Sequence, residues 1–101
     1  MDMKKMMKQA QKMQLELARA QEEIRSQEFT ATAGGGMVEV VATGEMAVKS
    51  IKIDPAAVDP EDVEMLEDMV LAGVNEALRM ASEASAQRLG AVTGGMNIPG
   101  L

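Results

Sequence analysis

The chain has 101 residues and a formal net charge of -6, and it contains no Cys, His, Tyr or Trp. This length suits one small domain, which a partner subunit would help to stabilise. The composition excludes a disulfide framework, lacks the commonest general base, and with Phe29 as its one aromatic residue cannot supply a base-stacking platform.

The first element is predicted to be a helix from Met3 to about Ser26. Good helix formers dominate the segment, and apolar residues recur at spacings of three and four, as in successive heptads. At about 1.5 Å per residue the helix would be about 35 Å long. Its apolar seam is interpreted as a dimer or core stripe and comprises Met3, Met6, Ala10, Met13, Leu17, Ala20 and Ile24.

The opposite side of this helix is basic. Lys4, Lys5, Lys8 and Lys12 fall at heptad positions away from the seam, with no acid among them over three turns, and Arg19 continues the row. We call the four lysines the lysine face. Such a face suits phosphate groups, which lysines bind with little sequence preference. The alternative is a solvated helix face, which the acidic net charge favours.

Three strands are predicted next, at 29–33, 37–43 and 46–53, from β-branched residues and alternation. The triple glycine 34–36 joins the first two as a hairpin turn, because a strand rather than a helix follows it and no phosphate-loop Lys is present. Gly44 and Glu45 form the second turn, and the alternation of the third strand shifts near Ser50. Short turns predict an antiparallel meander.

A second long helix is predicted to begin at Asp59 as N-cap with Pro60 at N1, and to end at Gly90. The region 54–77 carries eight acids and no Lys or Arg, and the only basic residues of the helix are Arg79 and Arg88. These two arginines either extend the basic surface or complement the helix dipole. The predicted core face comprises Val63, Leu66, Val70, Val74 (or Gly73), Ala77, Ala81 and Ala84.

The fold class is therefore α+β, in the order α-β-β-β-α, with residues 1–90 as one domain and 91–101 as a flexible C-terminal tail. A homodimer is the simplest way to cover the sheet edges and the Met seam. No metal site is expected: the acids lack EF-hand spacing, and the methionines, although soft Cu(I) ligands in principle, suit packing better. No apolar run approaches the roughly 20 residues of a membrane span, and no secretory signal is recognisable.

Five segments in order along the chain carry a resemblance: MKQAQKMQ at 7–14, EE at 22–23, IDP at 53–55, LEDMVLAGVNEA at 66–77 and GGMNIPG at 94–100. Together they resemble the YbaB/EbfC nucleoid-associated protein family. The resemblance implies a bacterial, cytoplasmic homodimer of α-β-β-β-α subunits that binds double-stranded DNA in the nucleoid through its long helices. It implies no enzymatic activity, cofactor or small-molecule substrate. Carried onto this chain, the implied DNA contacts are Lys4, Lys5, Lys8 and Lys12, followed by Arg79 and Arg88.

Two other hypotheses stay open on the residues alone. A protein-interaction adaptor would use the Met-rich seam and the acidic helix face, because flexible Met side chains suit adaptable surfaces. A membrane-surface helix would use the same basic amphipathic segment, although its seam lacks Trp, Phe and bulky aliphatic residues at the front.

Overall fold

The computed structural model describes residues 2–93 and has the predicted α-β-β-β-α order. The predicted tail from residue 94 onward lies outside the described residues. The molecule is elongated, with principal extents of 71, 26 and 15 Å. Its elements are α1 (Met3–Ser26), β1 (Glu28–Ala33), β2 (Val38–Thr43), β3 (Val48–Ile53), a short 3-10 helix (Pro55–Ala57) and α2 (Val63–Thr93).

Helix α1 begins and ends as its sequence predicts. Asp2 caps its first turn, accepting a hydrogen bond at Oδ1 from the backbone N–H of Lys4 at 3.0 Å. The helix stops where Gln27 turns to extended backbone and donates its N–H to the Ile24 carbonyl at 3.0 Å. β1 follows after this single residue, so the C-terminal end of α1 is fixed against one end of the sheet.

The sheet is an antiparallel meander in the order β1-β2-β3, as predicted. Its pairing slips by one residue beside Ser50: Val41 faces Ser50 and Ala42 faces Val48, which leaves Lys49 as an extra residue and confirms the predicted shift. The three glycines of the first turn all adopt positive φ, from 62° to 92°, as a glycine hairpin requires.

Three predicted boundaries were wrong by two residues or more. Strand β3 begins at Val48 instead of residue 46, because Met46 adopts φ of 65° within the turn. Helix α2 begins at Val63 instead of Pro60: Asp59 accepts a bond from the Glu61 N–H at 2.9 Å and so closes a separate turn.

Asp62 caps the α2 helix in place of Asp59, since its Oδ1 accepts from the backbone N–H of Met65 at 3.3 Å. The predicted end at Gly90 was also wrong, because α2 continues through this residue to Thr93. A Cβ on Gly90 would meet nothing within 4 Å, so the glycine neither stops the helix nor serves a close contact with another element.

The core lies between α2 and the first two strands. Val38 and Val40 of β2 are fully buried, and Ala77 packs in the same cluster from the helix. A Cβ on Gly73 would come within 2.9 Å of the Val40 side chain, so this small residue lets helix and sheet approach closely. Partly buried side chains complete the cluster: Leu66, Met69, Val70, Val74, Leu78 and Met80.

Helix α2 leaves strand β3 largely uncovered. Its pairing with Val38, Val40 and Ala42 puts Ile53, Ile51 and Val48 on the same face of the sheet as the core. The α2 helix nevertheless crosses β1 and β2 and barely reaches β3, so these three side chains stay 39–43% exposed. One protomer therefore leaves an apolar strip open beside its core.

Candidate nucleic-acid interface

The lysine face lies on the part of α1 that leaves the body of the protein. Helix α1 joins the body only through its C-terminal half, where Ala20 and Ile24 are buried and Met13 and Leu17 are half-buried. The turns before Met13 pack on no other described element, and all four lysines of the face are exposed. The face therefore projects into solvent on a helix whose other end is anchored in the body.

The lysines of this face also lack ion-pair partners within the described residues. Within residues 2–93, none of them lies within 4 Å of a carboxylate, and the same is true of Arg19 and Lys52. The remaining basic side chains are all paired. They are Arg25 with Glu22 and Glu45, Lys49 with Glu28, Arg79 with Glu76 and Glu83, and Arg88 with Glu23.

Arg79 is held by two acids on its own helix. Its Nη2 lies 2.7 Å from Glu76 Oε1, and its Nη1 lies 2.5 Å from Glu83 Oε2, at the helix spacings that bring side chains together. The hydrogen bond from Arg79 holds the pKa of Glu76 below its usual value. Glu76 and the charge of Glu83 in turn raise the pKa of Arg79. The positive charge of Arg79 is therefore balanced locally.

Arg88 joins the two helices. Its Nη2 donates to Glu23 Oε2 across the gap at 2.8 Å, between two side chains that are each about half exposed. The predicted interface residues thus fall into two groups. The four lysines share one projecting, unpaired surface, whereas Arg79 and Arg88 lie further along the molecule in ion pairs with carboxylates.

The apolar seam of α1 also changes near Met13, from exposed residues before it to at least partly buried residues after it. Ile24 is 4% exposed and belongs to the core, and Leu17 and Met13 are half-buried between the helices. By contrast Met3 is 75% and Met6 49% exposed, and Ala10 is exposed as well. The first half of the seam is thus left uncovered by its own chain.

The described residues offer little support for metal binding, base stacking or a membrane span. No group of His, Cys, Asp or Glu in this part of the chain could hold a metal ion. Phe29 is only 8% exposed and packs inside, so it offers no face for a base. Neither helix is long and apolar enough in its described part to cross a membrane.

Sequence reasoning missed the apolar strip on β3. Val48, Ile51 and Ile53 alternate with polar residues as a strand with one buried face does. Nothing in the local pattern reveals that α2 covers only two of three strands. A hint is available in the three strands themselves, since one helix about 10 Å wide spans about two strands at 4.8 Å spacing.

Fold and charge together define a small binding protein, with one helix end anchored in the body and the other offering unpaired lysines. The chain belongs to the YbaB/EbfC DNA-binding family, whose family model matches residues 1–96. It is 55% identical over 100 residues to a nucleoid-associated protein of Pelotomaculum thermopropionicum, covering 99% of this chain and 95% of that protein. A nucleoid-associated protein of Alkaliphilus metalliredigens is 52% identical over 100 residues, with 99% and 88% covered.

The fold also occurs in a solved structure of low sequence identity. The crystal structure of uncharacterized protein HP0035 from Helicobacter pylori matches with a TM-score of 0.70 at 23% identity, covering 86% of this chain and 91% of that one. The match shows a shared fold. The family model and the bacterial relatives place this chain among DNA-binding, nucleoid-associated proteins.

Proposed function

We propose that this protein binds double-stranded DNA as a homodimer, through phosphate contacts made by the lysine faces of its α1 helices. The observation that carries the proposal is the segregation of unpaired charge. The four lysines of the face have no carboxylate partner in the described chain and lie together on a helix that leaves the body, while the arginines of α2 are neutralised by acids.

The lysine face has dimensions that suit a duplex. Lys4 to Lys12 spans eight residues, or about 12 Å of helix, and duplex DNA carries one charge per about 1.7 Å of axis. Lysine is a flexible point donor, so it follows the backbone without a fixed geometry. Contacts of this kind position a protein on DNA and read little sequence. The whole chain has a formal charge of -6, so the part outside these four lysines carries -10 (-6 minus 4) and repels DNA, which favours binding through this helix.

The uncovered strip of β3 supports the proposal of a homodimer. Ile51 and Ile53 are 43% and 39% exposed beside the core, and the free edge of β3 offers unpaired backbone groups. Val63 at the start of α2 is also 50% exposed, and we include it in this surface. A second copy related by a two-fold axis would bury the strip against its own equivalent and would present two lysine faces on one particle.

Arg79 and Arg88 take a smaller part in this proposal. Each would have to exchange a carboxylate for a phosphate, so the gain in free energy is reduced by the ion pairs lost. No catalytic step, cofactor or small-molecule substrate is included. The cytoplasmic nucleoid is the proposed location, since the relatives are named nucleoid-associated proteins.

The test compares two single charge reversals. Lys8→Glu lies on the lysine face and Lys52→Glu lies on β3, and both residues are exposed and unpaired within the described chain. Fluorescence anisotropy with a labelled duplex should show at least about tenfold weaker binding for Lys8→Glu and little change for Lys52→Glu. Equal affinities for the two variants would reject the lysine face as the DNA-binding surface.

A further inference from the structure

A second open surface lies at the other end of the molecule from the lysine face. Met65 and Met69 of α2 and Gly34 of the first turn line a shallow groove of about 420 Å³. Met65 is 57% exposed, and a Cβ on Gly34 would lie 2.2 Å from the Met69 sulfur, so the turn fits closely around this methionine. Three acids border the groove: Asp62, Glu64 and Asp68.

This groove does not overlap the proposed dimer surface. Successive residues of a helix are about 100° apart, so Met65 and Val63 point about 200° apart around α2. The Met65 flank faces the β1 side, where Ala33 also lines the groove. The Val63 flank therefore faces β3. A dimer formed through β3 would leave both of its grooves open to solvent.

The uncovered end of α1 has the matching chemistry. We call residues 3–12 the α1 tip. Met3 and Met7 are 75% and 61% exposed; Lys4 lies beside Met7, three residues away, and Lys8 lies beside Lys4, four residues away. The tip thus offers flexible apolar side chains edged by positive charge, and the groove offers methionines edged by negative charge. The acids lie in a run, residues 54–77, that contains no Lys or Arg.

We propose that the acidic groove of α2 receives the α1 tip of a second copy of this chain. The tip cannot reach the groove of its own chain. It leaves the body at the Gly44 end of the sheet, beside which α1 terminates, whereas the groove lies at the Gly34 end. The contact is head-to-tail, and interfaces of that kind generate chains or rings of subunits.

The contact has a consequence for DNA binding. The lysines that edge the tip belong to the lysine face, so a bound acidic groove and a bound duplex exclude each other. The contact itself needs no DNA, and it can be tested even if the proposed function fails. Its strength should fall with salt, since about 1 M salt shortens the Debye length to about 3 Å.

The first measurement is sedimentation velocity of the full chain without DNA over about 1–100 µM. We expect assemblies larger than a dimer at low salt and their loss at about 1 M salt. A single species of unchanged mass at every concentration and low salt would overturn the proposal. Assemblies that persist unchanged at high salt would overturn it as well.

The second measurement is a charge swap. The tip variant combines Lys4→Glu and Lys8→Glu, and the groove variant combines Glu64→Lys and Asp68→Lys. Each variant alone carries like charges on tip and groove, so we expect each to lose association by at least about tenfold. Mixing the two restores opposite charges at every contact and should restore assembly. Their formal charges of -10 and -2 share one sign, so net attraction cannot produce this rescue.

The controls separate this contact from DNA binding and from a general charge effect. Asp68→Lys and Glu16→Lys make the same change in net charge, but only Asp68 borders the groove. We expect Asp68→Lys to weaken association and Glu16→Lys to leave it unchanged. The groove variant should still bind duplex DNA, and the tip variant should not. Failure of mixing to restore assembly, or an equal loss of association in Asp68→Lys and Glu16→Lys, would overturn the proposal.

Discussion

Arg88 of α2 donates a hydrogen bond from Nη2 to Glu23 Oε2 of α1 at 2.8 Å, across 65 residues of sequence. The pair joins the two helices close to the point where they leave the sheet, beside the cavity lined by Gln21, Ile24 and Leu89. It sets one boundary of the basic surface: beyond it toward the N-terminus the cations of the lysine face are unpaired. The positive charge of Arg88 therefore serves the contact between the two helices.

Replacing Arg88 with Gln should therefore affect stability more than DNA affinity. The pair is about half exposed, so its loss should lower the free energy of unfolding by about 0.2–1 kcal/mol. Lys8→Gln should do the reverse, with weaker duplex binding and unchanged stability. Urea denaturation and anisotropy on both variants decide the point. A larger loss of affinity in Arg88→Gln than in Lys8→Gln would assign the main contact to α2.

Gly44 should tolerate no side chain. A Cβ there would lie 1.8 Å from the carbonyl oxygen of Ile24, a backbone atom that cannot move without shifting the end of α1. We expect Gly44→Ala to destabilise the protein by about 3 kcal/mol or more. Gly90→Ala is the control, because open space surrounds that helical position and alanine should stabilise it by about 0.5–1 kcal/mol.

Thermal denaturation at one fixed protein concentration measures both glycine changes, since the stability of an associating protein depends on concentration. A melting temperature for Gly44→Ala equal to that of the unchanged chain would mean that α1 does not approach the sheet this closely.

Ile51→Asp should break the dimer and leave the subunit folded. The new carboxylate would stand in the apolar strip that the second copy is proposed to bury, and an unpaired buried charge costs about 3–5 kcal/mol. Ser50→Asp introduces the same group one residue away, on the other face of β3. Light scattering at high salt should give a monomer mass for Ile51→Asp and a dimer mass for Ser50→Asp. A dimer in both variants would place the interface elsewhere.

The ion pair of Arg79 should be visible in a pH titration. Its hydrogen bond lowers the pKa of Glu76, so the pair persists at neutral pH and its contribution disappears as pH falls through that lowered pKa. Carboxyl chemical shifts by NMR should show the pKa of Glu76 rising toward its ordinary value in Arg79→Gln. Arg25→Gln should not alter it, because Arg25 pairs with other acids. A Glu76 pKa that is unchanged in Arg79→Gln would contradict the pairing.

Much of the fold could be predicted from local pattern. Heptad spacing gave α1 within its observed bounds, and the glycine run gave the hairpin turn. The start of α2 was misplaced because Asp59-Pro60 and Asp62 both carry capping signals, and only the folded chain selects the second. The end of α2 was misplaced because a single glycine costs a helix only about 1 kcal/mol, so Gly90 does not by itself end the helix.

The candidate site was less accessible to sequence reasoning. Helical spacing alone places Lys8 and Met13 on different faces of α1. It cannot indicate that Glu23 reaches Arg88, since that pairing depends on how two helices meet. Nor can it reveal that Ile51 stays uncovered, since cover depends on the width of the sheet relative to α2. Pairing between distant elements is what distinguishes free cations from neutralised ones.

The most direct test of the central claim is the salt dependence of duplex binding by the unchanged chain and by a variant with Lys4, Lys5, Lys8 and Lys12 all replaced by Gln. If all eight lysines of a dimer contact phosphates, the slope of log affinity against log salt approaches about -7. We predict a steep slope for the unchanged chain and a shallow one for the variant. Equal slopes would show that DNA is held by another surface.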